Sequence, residues 1–287
     1  GYLTYFDNGY ELTGTTTASF AGLQSVAEYV SFDGSSSYNG RLGSLTLGSS
    51  GTPLVIGTDD GDNHYLKFED LDQLTSFSGV GLETIHGDLD INHWTLTDLS
   101  GFAGLTTVNG TVYLRLSCDA LTSLSGLDSL QTIGGDLSII DTDALESLTG
   151  LGNLTSIGGV LKLEQLQDQG FQNLTALSSL TSVGGIRLYA LTHLENVTGL
   201  SNVTGVLSGD LYINGVPEPL TLSPLAGITE IQGDLYIQGA QATCKLQTLG
   251  LTGLTAIGGD LYIRECDDLA DIDSLADVTT IGGHIDI

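Results

Sequence analysis

Five aspartates occupy the same slot of a recurring block, and they are the first residues here with chemistry to weigh. Asp88, Asp136, Asp210, Asp234 and Asp260 each follow a glycine and each open a short alternating stretch. A carboxylate placed after glycine accepts hydrogen bonds from turn N–H groups. A stack of carboxylates can instead gather oxygen ligands for calcium, which takes six to eight of them. Only Asp210, Asp234 and Asp260 fall in consecutive repeats, so local hydrogen bonding is the expected use and a calcium ladder the alternative. The segment Asp59-Asp60-Gly61-Asp62-Asn63 is denser in oxygen ligands, which makes Asp59, Asp60 and Asp62 the better calcium candidates. It lacks the closing glutamate of an EF-hand at the right spacing, so a solvated acidic loop is expected there. No cofactor other than calcium is suggested.

Two residues beyond three of the aspartates come Tyr212, Tyr236 and Tyr262, with Tyr113 at the same place further up the chain. An outward column of tyrosines stabilises neighbouring strands by cross-strand packing. An exposed tyrosine stripe beside acids also suits a sugar or a protein partner.

Five Asn-x-Thr tripeptides begin at Asn109, Asn153, Asn173, Asn196 and Asn202. They are N-glycosylation acceptors in a secreted eukaryotic chain, although the repeat itself supplies Leu-Thr, so any preceding asparagine completes the motif. Each lies beside an inward apolar residue or a glycine corner, which places it outward. Of the three cysteines, Cys244 and Cys266 fall in successive repeats, each shortly after the same strand. Stacked coils bring such positions to about 5 Å, within disulfide range, so a bond between them and an oxidising compartment are expected. Cys118 has no such neighbour. The histidines His64, His86, His93, His193 and His284 show no metal-ligand spacing, and no nucleophile elbow or phosphate loop is present. No catalytic residue is expected.

The elements that carry these residues follow from a block that returns about every 24 residues. It reads Gly258-Gly259-Asp260-Leu261-Tyr262-Ile263 in one copy and Gln232-Gly233-Asp234-Leu235-Tyr236-Ile237 in the one before. Further copies begin at Ser208, Gly158, Gly134, Asn109 and His86. A period in this range signifies a solenoid in which coils stack to share one core. In the unit Leu121–Ile139, Leu137 and Ile139 alternate with Asp136 and Ser138, which predicts a short half-buried strand. The apolar residues before it, Leu121, Leu124, Leu127, Leu130 and Ile133, recur every third position and suggest extended segments joined by bends. The glycine pair marks a corner where φ is positive or the backbone lies against another coil.

The expected fold is therefore an all-β solenoid of parallel stacked coils, one unit over 1–287, irregular in 1–80 and regular in 81–287. Candidate strands in the irregular part are 3–6, 28–32, 44–47 and 65–68, and a separate small N-terminal domain is the alternative. With 7 basic and 35 acidic side chains, the formal charge is −28. That excludes nucleic acid and anionic membrane surfaces as partners, and favours solubility, cations or basic partners. No apolar run is long enough to span a membrane.

The pattern Leu-x-x-Leu-x-x-Ile-x-Gly-Asp-Leu-x-Ile, from Leu71 to Ile287 and more loosely before it, resembles the receptor L-domain family, found in growth-factor receptors and in fungal cell-wall glycoproteins. The resemblance implies a right-handed leucine-rich β-helix, an extracellular location and no enzymatic activity. The chain has more coils and fewer cysteines than the receptor versions. The expected function is that of a secreted or cell-surface structural and adhesive glycoprotein, its signal peptide removed, stacking head-to-tail on other copies of itself and meeting extracellular glycans or proteins. A ligand-binding receptor ectodomain is the alternative, and a carbohydrate-active enzyme the third class.

Overall fold

The structure is a computed structural model. It describes residues 3–6, 16–20, 25–26, 29–33, 42–48, 53–58, 64–71, 74–92, 97–115, 120–166, 170–216, 220–239, 246, 248–266 and 269–287. Every strand pair in it is parallel, and the strands stack as a β-solenoid.

The main ladder joins Leu3–Phe6, Tyr29–Asp33, Tyr65–Glu69, Asp88–Asn92, Val112–Arg115 and Leu137–Ile140. It continues through Ser156–Glu164, Ser182–Tyr189, Leu211–Asn214, Leu235–Gln238, Leu261–Arg264 and Ile285–Asp286. From Leu66 onward, paired residues lie 23 to 26 positions apart, as in Leu66↔Leu89, Leu211↔Leu235 and Leu235↔Leu261. Earlier the coils are longer, Val30 pairing with Leu66. The sequence-derived strands near 3, 28, 44 and 65 all form; Leu3–Phe6, Tyr29–Asp33 and Tyr65–Glu69 join the same ladder as the repeats, while Leu42–Leu47 belongs to a separate three-stranded sheet.

Strand alternation explains the ladder. Leu211, Ile213, Leu235, Ile237, Leu261 and Ile263 point inward and are buried, while the residues between them face out. A second wall carries two further ladders, one from Ser25–Val26 through Thr132–Ile133 to Ser182 and Val183, the other from Gly205–Leu207 to Thr280–Ile281, with Val108, Ile133, Ile157 and Ile257 among their inward residues. The third wall changes character. It starts as the strands Thr16–Phe20, Leu42–Leu47 and Ser76–Gly79. Further along it becomes 3₁₀ turns at Ser100–Phe102, Thr175–Leu177, Thr198–Leu200, Ser223–Leu225 and Asp273–Leu275.

Those turns correct the expectation of extended segments. A 3₁₀ turn repeats every three residues, so leucines at every third position all land on one inward edge. The bonds Leu127 N–H to Leu124 O at 3.1 Å and Leu130 N–H to Leu127 O at 2.9 Å show the same i to i+3 spacing outside those five turns. The N-terminal end of the core is filled by phenylalanines instead. Phe68 stacks on Phe32 at 5.6 Å and meets Phe77 and Phe102 edge-on at 5.0 and 5.9 Å.

The glycine corners resolve one of the two alternatives for them. Gly134, Gly158, Gly258 and Gly282 are absent from the left-handed residues. A Cβ on any of them would overlap a carbonyl oxygen of the preceding coil, Asn109, Gly134, Gln232 and Gly258 respectively. Close approach of coils, not positive φ, requires glycine there. Positive φ falls at the other end of the strand. Asp70, Asp141, Gln165, Ala190, Gly215 and Glu265, each the residue after a main-ladder strand, have φ between 52° and 67°.

Candidate functional site

The aspartate column forms a ladder between coils. Asp88 Oδ1 accepts Thr111 N–H at 2.7 Å, Asp136 Oδ1 accepts Val160 N–H at 2.7 Å, and Asp210 Oδ1 accepts Asp234 N–H at 2.8 Å. Asp234 does the same for Asp260 at 2.7 Å and Asp260 for His284 at 2.6 Å. Thr111 substitutes a hydroxyl, accepting Asp136 N–H at 3.1 Å. The hydrogen-bonding use is thus the one seen, with a correction: the donor belongs to the next coil, not to the carboxylate's own turn. Where the slot holds Val160 or Gly185 no carboxylate is present, and there the chain runs through the corner as the long strands Ser156–Glu164 and Ser182–Tyr189. Among the described residues, no group of three or more His, Cys, Asp and Glu side chains is placed to hold a metal ion. Asp59, Asp60 and Asp62 lie outside the described residues.

The outward face of the main sheet gathers most of the remaining chemistry. Its middle column runs Lys67, Asp90, Tyr113, Ser138, Lys162, Arg187, Tyr212, Tyr236 and Tyr262, strand by strand. The column two residues further on runs Glu69, Asn92, Arg115, Ile140, Glu164, Tyr189, Asn214, Gln238 and Arg264. Of the seven basic residues in the whole chain, five stand in these two columns.

The tyrosines stack as the sequence suggests. Tyr212 and Tyr236 lie face to face, centroids 4.6 Å apart and 9° from parallel, and Tyr262 follows at 5.8 Å, tilted by 56°. Arg187 covers the other face of Tyr212, its guanidinium 4.0 Å from the centroid. Arg115 and Arg264 lie 4.7 and 5.1 Å from the rings of Tyr113 and Tyr262. Such cation–ring contacts contribute about 0.5–1 kcal/mol each when exposed. The hydroxyls are held too. Tyr212 Oη accepts a bond from Asn214 Nδ2 at 2.9 Å, Tyr236 donates to Gln238, and Tyr262 donates to Asp260 Oδ2 at 2.6 Å. That last bond holds the Asp260 carboxyl below its ordinary pKa, helped by the His284 N–H, and raises the Tyr262 hydroxyl. Burial raises Tyr236.

Each cation of the face has an acidic partner. Arg115 pairs with Asp90 at 2.7 Å, Lys67 with Glu69 at 2.5 Å, Arg264 with Asp286, and Arg187 with Glu164, which also lies 3.8 Å from Lys162. The pairs on Asp90 and Glu164 are layered. The Arg115 side chain is 40% exposed over an Asp90 that is 13% exposed, and Arg187 is 37% exposed over a Glu164 at 12%. There the carboxylates sit low and the cationic edges face out, whereas the two partners of Lys67–Glu69 and of Arg264–Asp286 are about equally exposed. This clustering was open to the sequence: the basic residues fall two and four positions after the corner.

Four of the five sequon asparagines, Asn109, Asn153, Asn173 and Asn202, are exposed, and Asn196 is half-buried. They divide by use. Asn153 and Asn202 donate Nδ2 to the carbonyls of Asp128 and Ser178 in the preceding coil, both at 2.7 Å. Asn173 and Asn196 accept with Oδ1 from the backbone N–H and the hydroxyl of the sequon's own Thr175 and Thr198. Asn109 Nδ2 lies 3.1 Å from His86 Nδ1. Cys266 is half-buried against the core, while Cys118 and Cys244 lie outside the described residues, as does any bond between Cys244 and Cys266. Among the described residues no helix is long and apolar enough to cross a membrane. Comparison with protein-family models gives no match, and no curated protein matches the chain.

Proposed function

We propose that this chain is a non-catalytic, extracellular structural and adhesive glycoprotein of receptor L-domain-like, leucine-rich character. Its solenoid serves as a stiff mount for the outward sheet face. The supporting observation is the gathering of five of seven basic residues with the tyrosine stack into two adjacent columns of a strongly acidic chain. Sheet packing alone asks for aromatic or β-branched pairs. It does not ask for the molecule's scarce cations to be collected on one wall. Tyrosine and arginine held in place by stacking lose little entropy on binding, and they dominate recognition surfaces.

Beads coated with the purified chain and offered to an extracellular matrix test the reading. Adhesion should fall at least about tenfold with Tyr236→Ala, a loss of about 1.4 kcal/mol of binding. Retention by that variant and by Arg187→Gln alike would remove the face from the function.

Head-to-tail stacking is the second part of the proposal. Parallel strands hydrogen-bond from coil to coil along the whole ladder with a near-constant period, and a second copy of the chain supplies coils of the same kind. Sedimentation tests this: a species that stays monomeric at high concentration and moderate salt, where repulsion between acidic copies is screened, would rule the assembly out. A ligand-binding ectodomain draws on the same sheet face, and a membrane-spanning segment in the full gene would favour it.

A further inference from the structure

Arg187 differs from the other cations of the face in what its guanidinium leaves over. Nε donates to Glu164, and the flat face lies on Tyr212. The two terminal nitrogens make no hydrogen bond among the described residues, whereas Arg264 spends both Nε and Nη2 on Asp286. Lys162, its register partner on the preceding strand, shares the same Glu164. Two cations therefore share one carboxylate. At this point of the wall the corner slots hold Val160 and Gly185 in place of the aspartates found in neighbouring coils.

We propose that Arg187 and Lys162 form a seat for a carboxylate carried by a linear acidic polysaccharide, whose following sugar units run along the face over Tyr212, Tyr236 and Tyr262. This deepens the adhesive reading and rests on it. A guanidinium fixed at one nitrogen and one face presents its other edge as a fork matched to a carboxylate. Because both ring faces of Tyr212 are covered, by Arg187 and Tyr236, a sugar there meets ring edges, hydroxyls and the amides of Asn214 and Gln238. Contact is by hydrogen bonding more than by stacking. Spacing favours a sugar polymer over an acidic peptide. Coils repeat at about 4.8 Å, close to the length of one sugar unit, while an extended peptide advances about 3.3 Å per residue and falls out of step.

Calorimetric titration of the full chain with an oligogalacturonate, its methyl-esterified neutral form and poly-glutamate tests the seat. The acidic oligosaccharide should bind at least about tenfold tighter than the ester, and Arg187→Gln should erase that difference, as expected for loss of a charge-assisted pair. Lys162→Gln should reduce it less, and serves alone if the Arg187 variant unfolds. Equal binding of acid and ester, discrimination that survives both substitutions, or no binding of the acidic oligosaccharide would overturn the proposal. So would poly-glutamate binding as tightly with the same dependence on Arg187, since the occupant would then be a peptide. Adhesion that depends on Tyr236 while no acidic sugar binds would leave the adhesive reading standing and sink this one alone.

Discussion

Asp234 Oδ1 accepts the backbone N–H of Asp260 at 2.7 Å, and a Cβ on Gly259 would run into that same oxygen. The carboxylate of one coil and the missing side chain of the next are two halves of one joint. The relation repeats at Asp88 with Gly110, Asp136 with Gly159, Asp210 with Gly233 and Asp260 with Gly283. Gly-Asp therefore recurs because each coil must leave room for its predecessor's carboxylate and supply the next.

A double-mutant cycle measures the joint. Asp234→Ala leaves the Asp260 N–H without its acceptor and should cost about 1–2 kcal/mol. Gly259→Ala forces the oxygen aside and should cost about 1–3 kcal/mol. The double variant should fall short of the sum by about 1 kcal/mol, because removing the carboxylate makes space for the new methyl. Strict additivity in urea unfolding would show that oxygen and methyl do not compete.

Asp260 of this column and Asp98 bear on the acid side of stability. Asp260 is held below its usual pKa first by the Tyr262 hydroxyl and then by the His284 N–H, and Asp98 by the Ser100 hydroxyl and N–H. A depressed folded pKa contributes stability that is complete above the unfolded value of about 3.9 and disappears as pH falls through the folded one. Tyr262, raised by its bond to Asp260, acts at the other end: its share is complete below about 10 and is lost as pH rises through the folded value. The urea midpoint should fall between pH 4 and 2 more steeply in the parent than in Asp260→Asn (roughly the window set by the unfolded carboxylate). Identical slopes would show that the bond gives Asp260 no linkage to folding.

Strand exits offer a prediction of the opposite sign to most substitutions. Ala190 has φ 53° directly after the Ser182–Tyr189 strand, where the corresponding residue one coil on is Gly215 at 67°. A non-glycine residue in that region costs about 1 kcal/mol. Ala190→Gly should therefore stabilise the chain by roughly 0.5–1 kcal/mol despite the added freedom of the unfolded chain. A lower thermal midpoint than the parent's would contradict this.

The inward Leu and Ile columns were legible from alternation along each strand, and the coil period and the tyrosine stack because the same block recurs in the sequence with its tyrosine at the same place. The donor to Asp234 was not, because Asp234 and Asp260 are 26 residues apart and only stacking brings them together. Leucines at every third position gave the inward edge but not its 3₁₀ form, since bends and tight turns both satisfy that spacing. The cations needed one further step. Arg187 is an outward residue by its place after Gly184-Gly185, yet its engagement with Glu164 and Tyr212 involves three strands at once.

The sequons lead to the last prediction, for a chain passed through a eukaryotic secretory pathway. Asn153 and Asn202 use Nδ2, the atom that would carry a glycan, to hold the preceding coil. Asn173 and Asn196 use Oδ1 and make no hydrogen bond with Nδ2 among the described residues. A glycan at the first pair crowds a coil junction and competes with a bond contributing about 1 kcal/mol, whereas at the second pair it leaves the turn intact. Glycopeptide mapping should find Asn173 and Asn196 more fully occupied than Asn153 and Asn202. Deglycosylation should then leave the thermal midpoint nearly unchanged. The reverse order of occupancy, or a naked chain by intact mass, would contradict the assignment.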